Sequence, residues 1–152
     1  MIIGAGIPLL TGGISALLTR KYMKLFEIVK KPPLSPPGWL FPVAWSILYI
    51  LMGLASYYIY CHKESEQAEE VNSALRLYGI QLFFNFMWSI VFFNLRWYLF
   101  AFIWLMILWV MILVMTCKFR RIDCTAGNMI IPYDLWVTFA AYLNLGIYIL
   151  NR

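Results

Sequence analysis

Charge is scarce in this chain. Only 12% of its 152 residues are charged and 63% are apolar, against roughly 25% charged in soluble domains, so the composition argues against a water-soluble fold. Histidine occurs once, at His62, and Cys61, Cys117 and Cys124 form no C-x-x-C pair, so neither a metal site nor a redox centre is expected. No constellation of nucleophile and general base stands out either. The first apolar run lacks a basic segment ahead of it, because Arg20 and Lys21 follow it, and this reads as an uncleaved helix in place of a signal peptide. Polar and apolar positions do not alternate as they would in barrel strands. The 12 basic residues outnumber the 7 acidic ones, but they gather beside the apolar runs and not in a nucleic-acid module, so no nucleic acid partner is expected.

Long apolar runs are what the chain does have. They occupy residues 2–18, 39–61, 74–93, 97–117 and 129–150. A bilayer core about 30 Å thick needs about 20 such residues per helical crossing. The pattern predicts an all-α integral membrane protein, a five-transmembrane-helix bundle forming a single domain over residues 1–152, with the lipid bilayer around it. The first run is the shortest and carries Gly4, Gly6, Pro8, Gly12 and Gly13. Pro42 and Pro132 fall near the starts of their runs, where a missing N–H breaks few bonds.

Five crossings put the two termini on opposite sides of the membrane. One side then holds Arg20, Lys21, Lys24, Lys30, Lys31, Arg96 and Arg152, and the other Lys63, Lys118, Arg120 and Arg121, with Arg76 at a helix edge. The positive-inside rule places the first loop and the C-terminus in the cytoplasm.

Polar residues in a span are costly unless they face protein, so their spacing is informative. Gln81, Asn85 and Trp88 stand at i, i+4 and i+7 and share one helix face. Trp45, Tyr49, Met52 and Ser56 form a second stripe, and Pro132, Trp136, Phe139 or Ala140, and Leu143 or Asn144 a third. Three stripes of aromatic rings with nearby polar groups suit a flat, mostly apolar ligand. They also suit helices that merely hold one another, so both readings stay open here. Trp39, Trp97 and Tyr98 are expected in the interfacial belt, and Trp104 and Trp109 are expected to face lipid. Asp134 reads as a structural carboxylate near a helix N-terminus, stabilised by the backbone dipole, with a proton relay in a proton-coupled transporter as the alternative.

Three segments carry a resemblance. They are Lys31-Pro32-Pro33-Leu34-Ser35-Pro36-Pro37 leading to Trp39, Pro42, Trp45 and Tyr49; Gln81-Leu82-Phe83-Phe84-Asn85 with Trp88; and Pro132-Tyr133-Asp134-Leu135-Trp136 with Phe139-Ala140 and Leu143-Asn144. Taken in order, they are similar to the translocator protein family, also called tryptophan-rich sensory proteins or peripheral benzodiazepine receptors, over nearly the whole chain. Leu34 stands where many members have Trp, Phe100 where they have a fourth-helix Trp, and Asp134 where they have an apolar residue. The last-helix sterol pattern is formally met by Leu145, Tyr148 and Arg152, but the family's aligned Tyr and Arg positions are Leu145 and Ile149 here.

The resemblance implies a membrane receptor or transporter-like protein that binds protoporphyrin IX or another tetrapyrrole, and synthetic isoquinoline carboxamide or benzodiazepine-type ligands. A sterol partner is weakly implied. It also implies a homodimer, a bacterial cell membrane as the location, and a pocket lined by Phe41, Trp45, Tyr49, Asn85, Trp88, Phe100, Trp136, Ala140 and Leu143. No resident cofactor is expected. Lys30 and Lys31 are placed to pair with porphyrin propionates. Two alternatives remain: an enzyme promoting light- or oxygen-dependent protoporphyrin degradation, with Trp45 and Trp136 as oxidisable indoles, and a ligand-independent interaction protein that dimerises through Gly12 and Ala16.

Overall fold

The computed structural model describes residues 6, 10, 12–14, 17, 24, 27–64 and 66–152. Within them the chain is helical, without strands, and four helices are long and apolar enough to cross a membrane. These are α1 (Leu40–Tyr60), α2 (Ala68–Ser89, running on as a π-helix over Ile90–Leu95), α3 (Tyr98–Ile122) and α4 (Cys124–Leu150). Most of the expected crossing over residues 2–18 lies outside the described residues. Its described members are helical, and Gly12 lies so close to α1 that a Cβ there would stand 2.5 Å from the Tyr49 ring.

The helices outrun the apolar stretches that announced them. α2 begins at Ala68, six residues before the expected start, with Glu69 and Glu70 in its first turn. Carboxylates there favour the positive end of the backbone dipole, a gain that hydropathy does not register. α3 runs five residues past 117 and ends with Arg120 and Arg121 in its last turn, the complementary arrangement. α4 starts at Cys124 and not at 129, because Asp123 caps it: its carboxylate accepts from Ala126 N at 2.9 Å. The expected connection over residues 118–128 is therefore almost wholly helical, and only Asp123 separates α3 from α4. A turn that tight needs a bare backbone. A Cβ on Gly127 would meet Arg120 N and Cα at 2.8 Å. The earlier start also corrects two expectations. Pro132 stands inside the helix, and Asp134 lies ten residues past the start of α4, about 15 Å along the axis and beyond the first-turn dipole.

α3 and α4 pack most closely; α2 lies against α3, and α1 against α4. The outward faces carry Ile47, Ile50, Leu54, Ile80, Phe83, Ile103, Ile107 and Val110, all exposed and apolar, as a surface solvated by lipid requires. At the end where α1 and α3 begin, Trp39 and Trp97 are exposed, whereas Tyr98 turns inward, its ring 5.5 Å from Phe92. Trp104 and Trp109 do not simply face lipid. Each is half-buried, and each indole N–H ties α3 to a neighbour: Trp104 to Phe84 O and Trp109 to Thr138 Oγ1, both at 2.9 Å. A helix apolar on every side gives no periodic signal of which face is turned inward.

Candidate functional site: an aromatic cage between three helices

Trp45, in the second turn of α1, is the hub of the interior. Its ring lies 5.6 Å from Tyr49, 6.1 Å from Tyr133, 6.4 Å from Trp88 and 6.5 Å from Trp136, so α1, α2 and α4 meet around one indole. Phe41 closes the cluster edge-on to Trp136 at 5.9 Å. The π-helix after Ser89 widens the end of α2 and brings two successive rings to one place. Phe92 stacks on Trp88 at 5.4 Å, and Phe93 meets it edge-on at 6.3 Å.

Beside the rings runs a polar chain with no exposure. Asn85 Nδ2 donates to Tyr133 Oη at 2.9 Å, and Tyr133 donates onward to Gln81 Oε1 at 2.9 Å. Gln81 Nε2 ends the chain at Met52 Sδ, 3.8 Å away. Two buried polar atoms in this cluster have no partner among the described residues: Asn85 Oδ1, an acceptor, and Trp136 Nε1, a donor. Asn144, on the same helix, is spoken for. With its amide turned to suit its neighbours, it donates to Tyr98 O at 2.8 Å and accepts from Phe102 N at 3.2 Å, pinning α4 to the start of α3.

The proline-rich loop lies along the C-terminal half of α4. Pro32 is buried against Gly146, where a Cβ would stand 2.6 Å from the proline ring. Tyr142 Oη donates to Pro33 O at 2.8 Å, and Asn151 brackets Lys30 by accepting from its N at 3.2 Å and donating to its O at 2.8 Å. Rings link loop and cage along one face of α4: Trp136 to Phe139 at 5.9 Å, then Phe139 to Tyr142 at 6.2 Å.

Of the residues expected to line a pocket, Phe41, Trp45, Tyr49, Trp88 and Trp136 gather as rings, and Asn85 joins through Tyr133. Ala140 and Leu143 are buried farther along α4. Phe100 is not brought there. It is 46% exposed, and its ring neighbours are Trp97 and Trp104 on the outer side of α3. Lys30 is exposed at the loop. Tyr133 and Gln81 belong to the site and were not among the expected lining residues. Tyr133 could have been found from its place three residues before Trp136, one helical turn away on the same side.

The chain is thus a multi-pass membrane protein whose helices enclose an aromatic cage with a buried amide–phenol chain at its side. It belongs to the TspO/MBR family, whose model it matches over residues 4–150. A "Tryptophan-rich sensory protein" of Cereibacter sphaeroides is 36% identical over 146 residues, 96% of this chain and 85% of that one. A "Tryptophan-rich protein TspO" of Chlorobaculum tepidum is 36% identical over 126 residues, 83% and 78% of the two chains. A "Translocator protein" of Ovis aries is 34% identical over 119 residues, 78% and 70%.

Proposed function

We propose that this protein is a membrane receptor or transporter-like protein that binds protoporphyrin IX and related flat hydrophobic ligands between its helices, with residues 2–18 as a fifth crossing. One observation carries the reading. The Trp45 ring is surrounded by other aromatic rings, and the same cluster leaves Asn85 Oδ1 and Trp136 Nε1 buried without partners. An unpaired buried polar atom costs about 1–3 kcal/mol. A planar ligand that slides between the rings and offers one donor and one acceptor recovers that cost, and a chain selected only for helix packing gains nothing from carrying it. Lys30 and Lys31, in the loop beside α4, then meet the propionates at the membrane surface. The homodimer, the cytoplasmic first loop and the bacterial cell membrane belong to the same proposal.

The test is quenching of tryptophan fluorescence by protoporphyrin IX in nanodiscs, with an isoquinoline carboxamide as competitor. Saturable, competed quenching that weakens in Trp136→Phe is the expected result. Linear quenching, equal in both proteins, returns the stripes to helix packing alone.

A second reading has one observation in its favour. Trp45 and Trp136 lie 6.5 Å apart and nearly perpendicular, so a porphyrin excited against one indole in the presence of oxygen is within reach of the other. Degradation with several turnovers per protein, lost when either indole is replaced by Phe, distinguishes an enzyme from a receptor that bleaches its own ligand once.

A further inference from the structure

Asp134 belongs to neither the cage nor the loop. It sits inside the apolar span of α4 and faces α3, where its Oδ2 lies 2.8 Å from Thr116 Oγ1. Its Oδ1 is buried without a partner among the described residues. Thr116 Oγ1 also lies 2.9 Å from Ile112 O, one turn back along α3. A hydroxyl carries one hydrogen and cannot donate to both.

If the side chain is a carboxylate, it takes that single hydrogen and has nothing else. Both anionic oxygens then sit in an apolar layer with one donor between them, an arrangement that membranes and protein interiors penalise heavily. No cation among the described residues offsets the charge. His62 Nε2 and Asp123 Oδ2 stand 4.0 Å apart at the helix ends. Lys118, two residues beyond Thr116, donates to Ser73. The other polar groups near the seam are committed elsewhere: Trp109 to Thr138 Oγ1, Thr138 to Asp134 O, and Tyr133 to Gln81.

A proton on Oδ2 lets both hydroxyl contacts form at once and removes the charge, while Oδ1 stays unpaired. Asp134 donates to Thr116 Oγ1, Thr116 donates to Ile112 O in the back-bond usual for threonine in a helix, and Oδ1 is left as a neutral carbonyl oxygen. We propose that Asp134 is a proton-binding site within the membrane layer, a carboxylic acid at neutral pH that bridges α4 to α3 as a hydrogen-bond donor. When the proton leaves to water, the carboxylate competes for the Thr116 hydrogen and calls for donors that neither helix supplies. Proton release and admission of water to the α3–α4 seam are therefore one event.

The chain has only two aspartates, Asp123 and Asp134, so carbon-13 labelling of aspartate carboxyls makes infrared spectra of the full chain in nanodiscs specific to them. The expected result at neutral pH is an isotope-shifted C=O stretch of a protonated carboxyl. That band should be absent in Asp134→Asn, displaced in Thr116→Val, and lost from wild type as pH is raised. Bands of carboxylate alone in the wild-type protein at neutral pH overturn the proposal. The wild-type spectrum needs no substitution, so it separates the two protonation states even where a variant fails to fold.

Discussion

Tyr133 and Asn85 meet at 2.9 Å across the bundle, and through Tyr133 the amide of α2 is joined to that of Gln81 one turn away. The phenol both accepts and donates, so α4 is keyed to α2 by a single oxygen. Tyr133→Phe keeps the ring against Trp45 and removes that oxygen, leaving Asn85 Nδ2 and Gln81 Oε1 buried without partners. The expected loss is about 1–2 kcal/mol of unfolding free energy, lower than for an equivalent loss in water because the chain within a membrane finds substitute partners. Unfolding in mixed micelles by a denaturing detergent measures it.

How much of the fold and the cage is legible in the sequence depends on whether a residue's chemistry shows up in its spacing. Gln81, Asn85 and Trp88 recur at helical intervals, and polarity in an apolar run marks their shared face, so their meeting inside the bundle can be read directly. Helix ends cannot be read from hydropathy, because Glu69, Arg121 and the Asp123 cap act through backbone dipole and hydrogen bonding. Phe100 and Trp104 sit in a helix apolar all round, where composition cannot say which ring turns outward. The chain Asn85–Tyr133–Gln81 needs two helices at a fixed rotation, which is a property of packing and not of either segment.

Trp45 touches four of the rings around it, so its removal disperses the cage. Trp45→Ala should weaken protoporphyrin binding by on the order of tenfold or more, since each aromatic pair is worth about 0.5–1.5 kcal/mol beyond its area. Trp45→Phe should keep most of that affinity. Equilibrium titration of both variants checks the order.

Phe100→Ala provides the converse. The ring lies outside the cage, 6.2 Å from Trp97 and 6.0 Å from Trp104, so affinity for the same ligand should stay within about twofold of wild type, a difference below about 0.5 kcal/mol. A large loss would mean that ligand reaches the outer face of α3.

Gly127→Ala places a methyl against the Arg120 main chain, which cannot swing aside as a side chain would. Overpacking of this kind costs about 1–3 kcal/mol. The strain falls on the one-residue link between α3 and α4, and lowered thermal stability with unchanged helix content by circular dichroism is the expected signature.

Asn151→Ala removes both hydrogen bonds to Lys30 and leaves the cage untouched. Global stability should shift by no more than about 1 kcal/mol, as for solvated hydrogen bonds. Amide exchange in residues 28–31 should accelerate clearly, since Pro32 and Pro33 carry no amide hydrogen, and mass spectrometry of the exchanged peptides reads it.

The Asn151 bracket joins positions 121 residues apart. Such a closure costs loop entropy that grows slowly with length, and it forms only where α1 and α4 stand side by side. The proline-rich loop therefore works as a stitch that holds the start of α1 to the end of α4. Its docked position requires that α1 and α4 stand side by side, and a misplacement of either leaves the strap undone.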